Sequence, residues 1–208
     1  MTAPTLVIDE PGSYYLTGDR HCSGRGITVE SNHVTIDLMG YSLIGNGFGS
    51  EDGIYISSSK NVEIRNGTVR GFSNYGIYAF ASVSKDYRII AVRVSSNGQG
   101  GIRLSGSNHL VKDCTVSDNG ASAANVVYGI YTSHAATVAG NKVSHNGASA
   151  QNHVYGIRVA GQGSLVTGNT SCYNGLQASG DVYGINLTGN SVVDQNVAYD
   201  NAGVNLSL

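Results

Sequence analysis

The sequence predicts an all-β solenoid, a parallel β-helix of about seven coils with three short strands in each, and three observations carry that prediction. Gly-Ile or Gly-Val pairs recur at Gly26, Gly53, Gly76, Gly101, Gly129, Gly156, Gly184 and Gly203, at intervals of 27, 23, 25, 28, 27, 28 and 19 residues. A period in the twenties marks stacked supersecondary units. Each unit holds three segments in which apolar and polar residues alternate, as in Val34-Thr-Ile36-Asp-Leu38 and Val62-Glu-Ile64, with no helical period between them. Asparagines also fall in columns, with Asn141, Asn169 and Asn196 in one and Asn97, Asn119, Asn146, Asn174 and Asn201 in another. Asn tolerates the left-handed backbone of a tight turn, and its amide can bond to the coils on either side. A leucine-rich horseshoe has a similar period but needs a Leu-x-x-Leu-x-Leu core with a helical return, and neither is present.

Taken in order, one domain spans 1–208, with a cap region over 1–25 and coils over 26–208. Leu6-Val7-Ile8, a Pro11-Gly12 turn and Tyr14-Tyr15-Leu16 read as a hairpin-like pair covering the open edge of the first coil. Each Gly-Ile-x-apolar strand then points its Ile inward and x outward. The third segment of a coil ends as VSSNG at Gly98, VSDNG at Gly120, VSHNG at Gly147, SCYNG at Gly175 and AYDNA at Ala202. At the far end Gly203-Val-Asn-Leu-Ser-Leu208 starts another coil. Its apolar edge, with Val204, Leu206 and Leu208, predicts a homo-oligomeric or end-to-end contact through the C-terminal coil.

Composition narrows the function classes. With 12% charged and 40% hydrophobic residues the chain is neither a disordered tail nor a membrane protein. A formal charge of -2 without a Lys/Arg run argues against nucleic acid. The first residues carry neither the basic nor the apolar region of a signal peptide, so an extracellular location would follow only if a leader had been removed. Cys22, Cys114 and Cys172 are an odd set with the spacing of neither a disulfide framework nor a zinc site, and they are expected to be reduced and buried.

Several quoted stretches resemble a known family. PGSYYLTGD, GITVESNHVTIDLMGYSLIG, NVEIRNGTVRGF and GIYAF are similar to the right-handed parallel β-helix repeat proteins of the pectin-lyase-like superfamily, over about Pro11 to Asn201. The resemblance implies a right-handed solenoid. It implies no one activity, because that superfamily includes polysaccharide lyases, glycoside hydrolases, uronate epimerases, phage tailspikes and proteins without known chemistry. The paired aspartates of the polygalacturonases, the calcium-aspartate cluster of the pectate lyases and the Tyr-Gly-Phe-Asp-Pro-His motif of the alginate epimerases are all missing from the sequence. No catalytic residue is therefore carried over.

Since coils stack about 4.8 Å apart, a column in the repeat becomes a ladder on the surface. The outward ladder runs Thr28, Tyr55, Tyr78, Arg103, Tyr131, Arg158, Asn186 and Asn205. Tyrosine faces stack on sugars and Arg forks bind carboxylates, so Tyr55, Tyr78 and Asn186 are candidate binders of an acidic polysaccharide. Arg103 and Arg158, two coils apart, are spaced to grip alternate sugars. Arg-on-Tyr stacking that only braces the coils explains the same ladder.

Three long third turns, ending at Ile130, Ile157 and Ile185, would form a wall beside the ladder and align Tyr128, Tyr155 and Tyr183, with Tyr75 earlier in the chain. Val126, His153 and Asp181 make a column in which His153 and Asp181 are either a base with its orienting carboxylate or an exposed ion pair. In a lyase or epimerase, Arg103 or Arg158 would neutralise the uronate carboxylate and Tyr131 or His153 would take the proton. The column Ser96, Asp118, His145, Tyr173 and Asp200 gathers further titratable groups, and His33 and His109 hold equal positions in Ser-Asn-His repeats. Glu51 and Asp52 could ligate calcium from a Gly-rich loop; no other cofactor or metal is expected. Two functions follow: a carbohydrate-binding or carbohydrate-active groove on the first sheet, or a non-catalytic structural or adhesive β-helix such as a fibre or tailspike-like segment.

Overall fold

The computed structural model describes residues 2–208 as a parallel β-solenoid that winds right-handed. The first sheet stacks nine strands: β1 (Leu6–Ile8), β4 (Ile27–Val29), β7 (Ile54–Ile56), β9 (Tyr75–Ala79), β11 (Gly100–Ser107), β14 (Val127–His134), β17 (Val154–Ala160), β20 (Val182–Thr188) and β23 (Val204–Ser207). The second column holds β2 (Gly12–Tyr15), β5 (Val34–Asp37), β12 (Leu110–Lys112), β15 (Thr137–Ala139), β18 (Leu165–Thr167) and β21 (Val192–Asp194). The third holds β3 (Arg20–Cys22), β6 (Ser42–Gly45), β13 (Thr115–Ser117), β16 (Lys142–Ser144), β19 (Thr170–Cys172) and β22 (Val197–Tyr199). In two coils these columns fuse into single long strands, β8 (Val62–Arg70) and β10 (Arg88–Ser95), which join both columns into one sheet.

The seven coils counted from Gly26 are present. The N-terminal segment corrects the expectation of a hairpin-like cap, because β1, β2 and β3 run parallel to the next coil at Leu6↔Ile27, Gly12↔Val34 and Arg20↔Leu43. Pro11-Gly12 turns the chain round a coil corner instead of back on itself, and the segment is a further coil in the same stack.

Inward side chains fill a narrow core in which Ile54, Ile77, Ile102, Ile130, Ile157 and Ile185 are fully buried. Cys22, Cys114 and Cys172 are free and buried, and burial pushes the Cys114 thiol up to about 11. Along the third corner, Ser96, Asp118, His145, Tyr173 and Asp200 all adopt φ between 50° and 57°. Their shared feature is that left-handed turn, which costs about 1–2 kcal/mol per residue. The asparagine after each one offsets the cost. Asn97, Asn119, Asn146 and Asn174 each donate backbone and side-chain N–H groups to the amide oxygen one coil on, the side-chain bonds being 2.8–3.0 Å long. Asn141, Asn169 and Asn196 form the second ladder in the same way.

Two register expectations change. His33 lies at an exposed left-handed turn (φ 58°), but His109 sits one residue further along its coil, in the inward column of Val34, Val62 and Tyr87. A slip of one residue reverses the face in a strand, so His109 is buried and stacks on Tyr87 with ring centroids 4.9 Å apart. At the C-terminal end β23 pairs Tyr183↔Val204, Ile185↔Leu206 and Asn186↔Ser207. Ser207 therefore follows Asn186 on the outward ladder, and Asn205 takes the column that glycines hold in earlier coils. Asn205 Oδ1 accepts from the Asn201 backbone (3.2 Å) and amide (3.0 Å), the pair of bonds that other rungs make to the next coil. Val204, Leu206 and Leu208 are exposed.

Candidate functional site

The outward ladder forms in the expected register from Thr28 to Asn186, through Tyr55, Tyr78, Arg103, Tyr131 and Arg158. A second ladder flanks it, one residue before each Gly-Ile glycine: Asp52, Tyr75, Gly100, Tyr128, Tyr155 and Tyr183. Tyr128, Tyr155 and Tyr183 stack, with centroids 5.5 and 5.1 Å apart. Gly100 interrupts that stack. A side chain there would lie 2.6 Å from the Tyr75 ring and 2.8 Å from the Tyr128 carbonyl oxygen, so the missing Cβ lets Tyr75 fold across the gap. Tyr75 stacks on Tyr78 at 5.0 Å.

Arg103 stands at the centre of this break. Its guanidinium carbon lies 5.3–5.8 Å from the ring centres of Tyr75, Tyr78, Phe80, Tyr128 and Tyr131, each within cation–π range. Arg103 Nη1 donates to the Tyr75 hydroxyl at 3.3 Å. Among the described residues Arg103 has no carboxylate partner, and its buried Nε has no acceptor. It is a positive charge set among aromatic rings with no carboxylate beside it.

Turn lengths place a cleft over this arginine. Between the third and first strand columns the connections are short at 71–74 and 96–99 but long at 46–53, 118–126, 145–153 and 173–181. Ala123 and Ala150 of these turns pack with Val127, Val154 and Val182, the first residues of the strands that follow, as a satellite core. The expected wall therefore exists. A cleft of about 500 Å³ occupies the saddle over the short turns, with Arg103 and Tyr75, Tyr78 and Tyr128 in its lining and the amides of Asn74, Gln99, Asn125 and Asn152 along its rim. Asp52 lines one end and is 3% exposed. Its Oδ1 accepts from the Tyr75 backbone N–H at 3.2 Å, yet burial pushes its carboxyl above the usual carboxylate range. Burial likewise raises the Tyr75 and Tyr78 phenols, in spite of Arg103 beside them.

The other candidate residues are dispersed. Arg158 lies over the Tyr155 ring at 4.6 Å and does not line the cleft. Of the two arginines expected to grip alternate sugars, the cleft lining contains only Arg103. Tyr131 packs against Arg103 from the ladder side, with its hydroxyl accepting from Ser133 Oγ at 3.4 Å, and stays outside the cleft lining. His153 and Asp181 are neighbours on adjacent coils, as expected, with Nδ1 3.4 Å from Asp181 Oδ2 and 3.1 Å from the Asp181 N–H that donates to it. Asp181 is exposed and His153 half-buried, and neither is among the residues that line the cleft. Tyr55 lies beneath the Arg25 guanidinium at 4.4 Å, and Asn186 lies beyond Arg158.

Arg25 pairs with Glu51 at 2.6 Å and stands 3.8 Å from Asp52, so a built-in cation occupies that loop, and among the described residues no three acidic, His or Cys groups converge on a metal position. Sequence reasoning missed Asp52 as a cleft group, along with the amide rim. The one available signal was that Gly100-Gly101-Ile102 stands where other coils read Tyr-Gly-Ile.

A family model described as the right handed beta helix region matches residues 18–171. No curated protein matches the chain. Among solved structures it is similar to a mutant of a periplasmic alginate epimerase, with 14% identity, TM-score 0.52, and coverage of 88% of this chain and 58% of that one. It is also similar to tailspike protein 2 of an Escherichia coli O157:H7 bacteriophage, with 14% identity, TM-score 0.48, and coverage of 93% and 34%. A pectate lyase shows 14% identity, TM-score 0.41, and coverage of 94% and 70%. At these identities the likeness is one of fold, and the chain spans little over half of the epimerase.

Proposed function

Because this chain belongs to the family of right-handed β-helix regions, we propose that it is a carbohydrate-binding protein that seats an acidic polysaccharide in the cleft around Arg103. The observation that carries the reading is an uncompensated guanidinium ringed by five aromatic side chains and rimmed by amides. Aromatic faces bind the apolar faces of sugar rings, amides bond to hydroxyls, and a guanidinium forks onto a carboxylate. Resemblance to an alginate epimerase supports the same substrate class.

If the protein also turns its ligand over, by elimination or epimerisation at the carbon beside the carboxylate, the groups placed to move protons within the cleft are Asp52, Tyr75 and Tyr78. His153 is the less suitable base, since Asp181 already takes its Nδ1. A purely architectural reading draws on a different observation, the stacking of Arg158 on Tyr155 and of Tyr155 on Tyr183, which braces coils without any ligand.

A calorimetric screen of alginate, pectate and glycosaminoglycan fragments, run with absorbance for new unsaturated ends, tests the proposal. Arg103→Ala should weaken binding by roughly 1.5–3 kcal/mol, the worth of a charged hydrogen bond, while Arg158→Ala leaves it unchanged. Silence across the acidic glycans, with both variants altering only stability, would transfer the weight to the architectural reading.

A further inference from the structure

The cleft over Arg103 is a notch in a wall. Turns 46–53 and 118–126 are long, and the break between them is spanned by the short turns 71–74 and 96–99. Asp52 lines the notch from the turn on one side, Asn125 and Val126 from the turn on the other, and Asn74 and Gln99 from the short turns themselves. A ligand held there is flanked along the solenoid axis and open to extend across it. In one crosswise direction lies the first sheet, where Phe80, two residues beyond Tyr78, is 58% exposed with its ring centre 5.3 Å from the Arg103 guanidinium carbon. In the other lies the third strand column, reached over Asn74 and Gln99.

That far side is positively charged. Arg70 ends β8 four residues before Asn74, and Ser95 ends β10 four residues before Gln99, so the chain holds each within about 14 Å of its cleft amide. Arg70 pairs with Ser95, and Arg93 with Thr68, across these neighbouring strands. Val69, Val92 and Val94 beside them are buried, which turns both arginines outward, and both are exposed. Arg93 Nε donates to Thr68 Oγ1 at 3.1 Å, and among the described residues neither arginine has a carboxylate partner. Arg65 and Arg88, further from the notch in the same two strands, are already neutralised by Asp37 and Glu63. We propose that Arg70 and Arg93 form a second subsite for anionic sugars, and that an acidic glycan crosses the corner from Arg103 to them instead of following the outward ladder. The inference rests on the acidic-glycan reading above and gives the bound chain its direction.

The test uses calorimetry with a disaccharide and an octasaccharide of each of alginate, pectate and chondroitin sulfate. Arg103→Ala should weaken both lengths of whichever class binds. Arg70→Ala and Arg93→Ala should each weaken the octasaccharide about three- to fivefold, the upper range for an exposed ion pair, and leave the disaccharide unchanged. Two controls separate this course from its rivals. Lys142 is an equally exposed cation two coils on from Arg93 in the same column, beside the long turns, so Lys142→Ala should leave both lengths unchanged. Arg158→Ala, which removes the next cation along the outward ladder, should do the same.

An octasaccharide that loses affinity with Arg103→Ala but keeps it with Arg70→Ala and Arg93→Ala would overturn the crosswise course while leaving the acidic-glycan reading intact. Equal losses with Lys142→Ala would reveal diffuse charge attraction in place of a subsite, and would overturn it as well. Failure of every acidic chain to bind, or binding indifferent to Arg103→Ala, would overturn both. Circular dichroism spectra matching the parent's establish that the variants are folded.

Discussion

Inside the core, His109 is held as a neutral ring. The Tyr87 N–H donates to Nδ1 at 3.3 Å, so the proton belongs on Nε2, which is 3.0 Å from the Ser105 carbonyl oxygen. Burial lowers its pKa below the ordinary 6.5. The folded protein therefore binds a proton at this site less readily than the unfolded chain does. The stability this contributes is whole above pH about 6.5 and is lost as the pH falls below it, by at most about 1.4 kcal/mol per unit for a single proton. Urea unfolding at pH 7, 6 and 5 checks this against His109→Asn, whose amide oxygen can still accept from Tyr87. The parent should lose its advantage over the variant as the pH falls, and a constant gap would show that the ring takes up a proton in the fold as readily as in the unfolded chain.

At the scale of the strand and turn, the recurring glycine is a spacing device. A Cβ at Gly101 would lie 2.3 Å from Val116 Cγ1 and 2.5 Å from the Gly129 carbonyl oxygen, both held within the stack, whereas a Cβ at Gly18 meets nothing within 4 Å. Gly101→Ala should therefore cost about 3 kcal/mol through overpacking and Gly18→Ala less than about 0.5 kcal/mol, as thermal denaturation would measure. A mild effect at Gly101 would mean that the strand relaxes outward at that corner.

This repeated constraint is why the coils could be read from the sequence. The glycine, the inward Ile and the outward Tyr/Arg positions recur with the stacking period, and their register follows from counting. Other features depend on contacts that counting does not supply. Pro11-Gly12 has the composition of a reversing turn but bends round a corner, His109 differs from His33 by one residue of register, and Asn205 departs from the Gly-Val spacing by two. The cleft was half legible. Arg103 and Tyr78 lay on the outward ladder, but the break at Gly100 and the burial of Asp52 arise from side chains of different coils meeting.

Across the whole molecule each coil touches only its neighbours, so stability is close to a sum of coil terms and nearest-neighbour terms. The terms are unequal. In the middle, β8 and β10 pair along seven residues with fully buried Ile64, Val69, Ile89 and Val94 between them. In the last full coil Val193 and Ala198 are only partly buried, and Val192 and Val197 are 63% and 54% exposed. Hydrogen exchange in the native state should thus give lower opening free energies for β21 and β22 than for β8 and β10.

Asn205 limits that fraying by supplying the oxygen a further rung would give to Asn201. Asn205→Gly restores the residue type of the earlier coils but leaves the Asn201 backbone N–H without that acceptor. Its opening free energy should fall by about 1–2 kcal/mol, with β8 and β10 unchanged. A drop of equal size in every strand would instead mean that the solenoid opens as one unit and that the asparagine ladder couples its ends.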